Sequence, residues 1–276
     1  MSSVQSDIPD ELRRMVEGLP KYSDVSVQLT DEVLEAAVKS APTSEKVDLV
    51  SADDRIVSFV DLLGTKFLMQ QVSGTEQAQD AYNKLSAIGV LFEECAEECK
   101  KNVPETKYRI ISDSYVISVP YEPEAFDALV FSIGKFQKGC LLEFKTLARG
   151  GIAMGKMVVG GKYDMMIGKA FVDAHLLEKD IASYPRVVIN SDIKIKEMSR
   201  IAPISHDKDG MDYISFLSGL SKQELEKARS IILDKKKEKS DPKCLHERQK
   251  WEWVQTYIDQ VNNKRECCCV YKKEAV

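Results

Sequence analysis

The stretch Arg55-Ile56-Val57-Ser58-Phe59-Val60-Asp61-Leu62-Leu63-Gly64 decides how the rest of the chain is read. Residues 55–63 form a nearly continuous apolar run, the pattern of a strand buried on both faces. Asp61 interrupts it. A carboxylate inside a buried strand costs on the order of several kcal/mol unless a cation or hydrogen-bond donors compensate it. The alternative is a strand-end Asp that caps the next helix, which Gly64-Thr65 permits.

After the strand, Ala78, Ala81, Tyr82, Leu85, Ile88, Gly89, Phe92, Cys95, Ala96 and Cys99 recur at helical spacing, with Glu93, Glu94, Glu97 and Glu98 on the wet side. Pro104 closes that helix. Residues 108–112 and 115–120 are β-branched-rich runs with Asp113 and Ser114 between them, which predicts a hairpin. A second helix follows Pro123, with Phe126, Leu129, Val130, Ile133, Cys140, Phe144 and Leu147 on one face, and residues 149–155 return to extended character. Strand, helix, strand, strand, helix, strand is the order of the ferredoxin-like split βαβ fold, an α+β class. It sets two helices on one face of an antiparallel sheet and leaves the other face free. It also makes the first strand and the hairpin neighbours, so Asp61 and Asp113 converge. Paired carboxylates with no His or Cys nearby suit hard cations such as Mg²⁺ or Mn²⁺, the usual partners of phosphate groups. For Asp113 the alternative is an ordinary turn residue.

The remainder extends this core. Residues 168–180 are helical in period, 185–190 and 212–216 are strand-like, and 221–233 and 246–262 are helical, with KKKEKSDPK between them as a solvated linker. The expected organisation is a polar lead over 1–50 with DEVLEAAV as its one good short helix, a catalytic core over 51–218, and a C-terminal helical arm and flexible tail over 219–276. The glycines of 150–168 carry neither Walker spacing nor GxGxxG after a strand, so they read as a tight strand-to-strand turn. No GxSxG occurs.

The chain has 276 residues, 43% hydrophobic and 30% charged, with a net charge of −5. That balance excludes wholesale disorder and gives no basic surface for nucleic acid. No apolar run approaches the roughly 20 residues of a membrane span, and the start lacks the apolar region of a secretory signal, so a cytoplasmic protein is expected. Of the seven cysteines, Cys95 and Cys99 share a helical face and read as small core residues, and no paired zinc spacing exists. Cys267, Cys268 and Cys269 form a terminal trio that does not end in a prenylation box.

With Phe59-Val60-Asp61-Leu62-Leu63-Gly64, Ser112-Asp113-Ser114 and Arg149-Gly150-Gly151-Ile152-Ala153-Met154-Gly155 in this order, the sequence resembles the class III nucleotidyl cyclases. Residues 168–178 (GKAFVDAHLLE), then 184–189 (YPRVVI), narrow the resemblance to the bacterial Pycsar pyrimidine cyclases of antiphage defence. Lys250-Trp251-Glu252-Trp253-Val254 and Tyr257 are similar to their C-terminal segment. The resemblance implies Asp61 and Asp113 as the two metal-binding aspartates, with the Leu62 carbonyl as a further ligand of two Mg²⁺ or Mn²⁺ ions. It implies a phosphate-lining backbone from Leu63 through Gly64, Thr65 and Lys66 to Phe67, with Phe59 beside the substrate. It implies a homodimer with the active sites between subunits, a cyclic nucleotide product, and a downstream effector that senses it.

Purine cyclases carry an Asn and an Arg on the helix that follows; aligning Gly168, Ala174 and Glu178 sets Val172 and Leu176 at those positions. The Pycsar-like proteins share that lack. Arg149 is the candidate for the missing cation, a structural strand-start arginine being the alternative. Arg109 stands four before Asp113, where purine cyclases choose the base. Arginine only donates hydrogen bonds. Uracil offers carbonyl acceptors at O2 and O4, whereas cytosine has an amino donor in place of O4, so an Arg109 that reaches the base edge favours UTP over CTP.

Overall fold

The computed structural model describes residues 52–70, 72–160, 165–239, 241 and 244–273, with the side chains of 66, 67, 70 and 263–273 outside that description. The lead over 1–50 with its short helix, and the side chains of the Cys267–Cys269 trio, therefore lie outside the described residues. The elements are β1 (Ala52–Leu63), α1 (Thr65–Gln70), α2 (Thr75–Asn102), β2 (Lys107–Ile111), β3 (Ser114–Pro120), α3 (Pro123–Leu142), β4 (Leu147–Gly160) and β5 (Met165–Gly168). There follow α4 (Lys169–Leu176), a π-helical turn (Leu177–Ile181), β6 (Val187–Ile189), α5 (Ile195–Met198), β7 (Ile204–His206), β8 (Asp212–Ile214), α6 (Lys222–Glu238) and α7 (Leu245–Lys273).

The sheet order is β2-β3-β1-β4-β6-β8-β7, with β5 paired to β4. Its first four strands are mutually antiparallel and are the split βαβ core expected from the sequence. β1 is buried on both faces because its alternate residues feed two cores. Ile56, Val60 and Leu62 join the large cluster under α2 and α3. There Phe92, Tyr115 and Phe136 form a ring triangle with centroids 4.9–5.4 Å apart, a tilted and edge-on geometry that suits aromatic quadrupoles. Val57 and Phe59 join Val116, Ala153, Met157, Ala170 and Ala174 in a second cluster. The second face is therefore not free. The helix α4, rich in small residues, packs on it, and Phe171 meets Phe59 edge-on at 5.7 Å.

Other expectations change for local reasons. Leu147 belongs to β4 rather than to the preceding helix, which ends at Leu142. Tyr82 and Ala78 are exposed: the buried face of the 28-residue α2 begins at Ala81 and runs on through Ile88, Phe92, Cys95 and Cys99. The lysines of 235–237 are not a linker: α6 continues through them to Glu238, where their charge suits the negative helix end. Ser221 and Glu224 form a full capping box at the start of α6. The arm is packed into the large cluster through Leu225, Ala228, Ile232, Val254 and Ile258. Cys95, Cys99 and Cys140 are buried core residues.

Candidate active site

Register builds the site. Asp61 on β1 stands opposite Ser114 on β3 and Arg149 on β4, and directly opposed residues share a sheet face. That is the α4 face, the one carrying Val57 and Phe59. The β2–β3 turn is made by Ser112 in the left-handed region at φ 58°. It returns the chain so that the Leu62 N–H donates to the Asp113 carbonyl at 3.3 Å. Gly64 at φ 93° turns β1 into α1, a conformation glycine adopts without steric cost. This brings the Thr65 hydroxyl onto the Asp113 carboxylate, 3.4 Å from the Leu62 carbonyl. Ser114 Oγ donates to Asp61 Oδ1 at 3.3 Å.

Burial pushes the Asp61 carboxyl up to about 6, and the charges of Asp113 and Glu178 add to the rise; Arg149 and the Ser114 hydrogen bond oppose it. Glu178 is almost fully buried in the π-helical turn. Its Oε1 lies 2.6 Å from Arg149 Nη2, and Arg149 Nη1 donates to the Ala182 carbonyl at 3.4 Å. The approach of α4 that makes this pair possible depends on Gly151. A Cβ there would stand 2.4 Å from Leu177 Cβ and 2.5 Å from the Ala174 carbonyl oxygen. At Gly150 a Cβ would stand 2.4 Å from the Phe59 carbonyl oxygen. These two glycines therefore serve close packing in mid-strand, not a turn; Gly160, at φ 106° and the end of β4, suits the turn.

Asp61, Asp113, Leu62, Thr65 and Arg149 thus meet around one strand end. Phe59 does not present a binding surface in the single chain, being 7% exposed beneath Phe171 and His175, whose rings lie 5.7 and 4.8 Å away. Arg109 pairs with Val116, which in turn pairs with Phe59. It therefore sits on the site's face but two strand spacings, about 10 Å, across the sheet, and its Nη1 donates to the Tyr108 carbonyl at 2.8 Å. Val172 and Leu176 are exposed on α4. Leu63 and Gly64 line the turn; Lys66 and Phe67 lie in α1, their side chains outside the described residues. Two groups escaped the sequence reading. Glu178 served there only as an alignment point. Lys250 of α7 lies within the electrostatic reach of Arg149 and Asp61, and burial foremost lowers its pKa.

The donor set fits a hard divalent cation: two carboxylates and a backbone carbonyl supply oxygens, and a cation would offset both the burial and the like charges that raise Asp61. Among the described residues no group of three or more His, Cys, Asp and Glu forms a closed metal cage. Few protein ligands match the way Mg²⁺ is held, with substrate phosphates completing its shell. Among the described residues no helix is long and apolar enough to cross a membrane.

No protein-family model and no curated protein matches the chain. Several solved structures are similar in shape. The adenylyl cyclase CyaB from P. aeruginosa is 16% identical over 59% of this chain and 94% of its own, with a TM-score of 0.48. A bacterial light-regulated adenylyl cyclase is 13% identical over 76% and 70%, with a TM-score of 0.45. The monomeric guanylyl cyclase domain of the RhoGC fusion protein from the aquatic fungus Blastocladiella emersonii is 15% identical over 59% and 95%, with a TM-score of 0.46. The chain has an α+β split βαβ fold by its own strand order; the three solved structures named here are adenylyl and guanylyl cyclases.

Proposed function

We propose that the chain is a metal-dependent nucleotidyl cyclase acting on a pyrimidine ribonucleoside triphosphate, UTP before CTP. The products are the 3′,5′-cyclic nucleotide and pyrophosphate. The observation that carries the reading is that Asp61 and Asp113 stand within each other's field at one strand end, where the Thr65 hydroxyl joins the Asp113 carboxylate to the Leu62 carbonyl. Two Mg²⁺ or Mn²⁺ ions held by Asp61, Asp113 and the Leu62 carbonyl would supply positive charge against the triphosphate and acidify the ribose 3′-hydroxyl. In the reaction the 3′-oxygen forms a bond to the α-phosphorus in line, the α–β bridging bond breaks, and pyrophosphate leaves as the hydroxyl proton is lost. The Gly64 and Thr65 backbone faces the phosphates. Arg149, steadied by Glu178, and Lys250 are the cations whose fields reach Asp61, and Arg149 is the proposed counter-charge to the developing phosphate anion.

The pyrimidine preference rests on the resemblance, on Val172 and Leu176 where purine cyclases carry Asn and Arg, and on the donor-only head of Arg109. The role in a cytoplasmic antiphage system, with a cyclic-nucleotide-sensing effector downstream, rests on the resemblance alone. The homodimer rests on the resemblance; the segment from β5 to the strand β6 exposes the apolar side chains Ile167, Val172, Leu176, Ile181 and Tyr184, which such a contact would cover. The test is incubation with each of the four ribonucleoside triphosphates and Mn²⁺, read by mass spectrometry. Cyclic UMP or cyclic CMP is expected; product from ATP or GTP alone overturns the pyrimidine assignment.

A second reading is a non-catalytic cyclase-like module that binds a nucleotide and regulates a partner. The engagement of Arg149 by buried Glu178 favours it. Tight nucleotide binding without pyrophosphate release in the same assay distinguishes it.

A further inference from the structure

We propose that the C-terminal arm completes an oligophosphate-binding cavity beside the Gly64-Thr65 turn, with Lys84, Lys145, Lys235 and Lys239 as its cationic lining. The cavity has a volume of about 470 Å³ and is bounded by the turn, by α2, by Lys145 and Thr146 just before β4 and by the two helices of the arm. That volume is within the range of small-molecule sites.

Its charge is the first argument. The chain as a whole is acidic, at −5, yet this cavity gathers four lysines against the two carboxylates Glu238 and Glu247. Those carboxylates are engaged: Lys235 Nζ lies 2.6 Å from Glu238 and Lys239 Nζ 2.6 Å from Glu247. Lys84 and Lys145 have no salt-bridge partner among the described residues. A net positive wall is left, and it attracts a polyanion.

The placement of the lysines is the second argument. Lysines in the last turn of α6 are expected from the helix dipole alone, but the dipole does not dictate which side of the helix they take. Lys235 and Lys239, four apart and so on one face, line the cavity, while Lys237 does not. Lys145 adopts φ 50°, a left-handed conformation unfavourable for any residue with a Cβ, and it too lines the cavity. Lys84 stands exposed on α2, within the field of the like-charged Lys235. A bound anion relieves this repulsion.

The third argument joins the cavity to the acid pair. Thr65 donates its hydroxyl to Asp113 and also lines the cavity. A molecule with one phosphate at the acids runs past Thr65 with its remaining phosphates among the lysines. The identity of that molecule as a nucleoside triphosphate rests on the cyclase reading; the anion site itself does not. Two sources share this chemistry, the triphosphate tail of the nucleotide and free pyrophosphate.

Titration calorimetry on the full chain in EDTA, with inorganic tripolyphosphate as the probe, tests the site. One tripolyphosphate per chain is expected to bind. Binding should weaken at least tenfold in Lys235→Gln/Lys239→Gln, and stay unchanged in Lys237→Gln. If the arm variant melts early, Lys84→Gln/Lys145→Gln, both outside the arm, must show the same loss. An equal loss of UTP affinity assigns the site to the nucleotide's tail; unchanged UTP affinity with loss of pyrophosphate binding assigns it to the free product. Absence of tripolyphosphate binding, or binding that both double variants leave intact, overturns the proposal. Tripolyphosphate binding with no product from any nucleotide would sink the cyclase reading instead and leave the site standing.

Discussion

Glu178, buried in the π-helical turn after α4, holds Arg149 of β4 by an ion pair of 2.6 Å, and Arg149 is the cross-strand neighbour of Asp61. Three charged groups from three separate elements therefore set one another's energies. Arg149 offsets part of the repulsion that Glu178 and Asp113 place on Asp61.

Removing Glu178 leaves Arg149 partly buried without its carboxylate. Loss of one partner from a buried pair costs about 3–5 kcal/mol; Arg149 retains 24% side-chain exposure, so the lower end is expected for Glu178→Ala. Urea unfolding should show Glu178→Gln to be milder, because the amide keeps the side chain's size and places a polar oxygen beside the guanidinium. Equal stability of Glu178→Ala and the parent chain contradicts the pair's role.

Asp61 and its metal make a second prediction. With its folded pKa raised to about 6, Asp61 favours folding at low pH and opposes it as pH rises through that value, because the unfolded carboxyl ionises without penalty. In EDTA at pH 8, Asp61→Asn should therefore raise the melting temperature, and at pH 4 it should change little. Mn²⁺ should stabilise the parent chain and not this variant. Asp61→Ala should abolish turnover with the fold intact; retained cyclisation removes Asp61 from the metal site.

Gly151→Ala tests the packing that delivers Glu178. The added methyl meets the α4 backbone and Leu177, and overpacking of this kind costs about 1–3 kcal/mol. Activity should fall further than stability does, since displacing α4 separates Glu178 from Arg149. Gly160→Ala is the control: it strains a left-handed residue but meets nothing within 4 Å, so turnover should survive.

The α6 cap carries its own pH signature. The Lys138 ion pair first, then the Ser221 backbone and hydroxyl, hold the Glu224 carboxyl down at about 2. A depressed carboxylate stabilises the fold above its unfolded value and loses that contribution as pH falls toward the folded one. Glu224→Gln should cost about 1 kcal/mol at pH 7, a value limited by solvent screening, and almost nothing at pH 2. A pH-independent difference between the two proteins contradicts the linkage.

The split βαβ core was legible in the sequence because each of its elements reports its own environment. The unbroken apolar run of β1, the 3–4 spacing from Ala81 to Cys99 and the two runs around Asp113 record which side chains leave water. Neighbouring strands then follow from the few topologies such an order allows. Asp61 was legible for the same reason, since a carboxylate in an apolar strand contradicts its surroundings; Asp113, in the turn between two strands, was drawn to it by the topology.

The partners of those acids were not legible. Nothing in the period of residues 168–180 distinguishes Glu178, which turns inward, from Asp180, which stays exposed. The π-helical turn makes that difference, and it depends on α4 lying against Gly151, in a strand more than twenty residues earlier. The lysines at 235–239 read as a solvated run because charge alone does not say what stands opposite. Sequence by itself determined the elements, their order and the acid pair; only the tertiary structure decided that α4 covers the second face, that Arg149 is paired with Glu178, and that four lysines share a cavity with the Gly64-Thr65 turn. The physical reason is that periodicity encodes which face of an element is buried, whereas ion pairs and cavities are properties of two faces that meet.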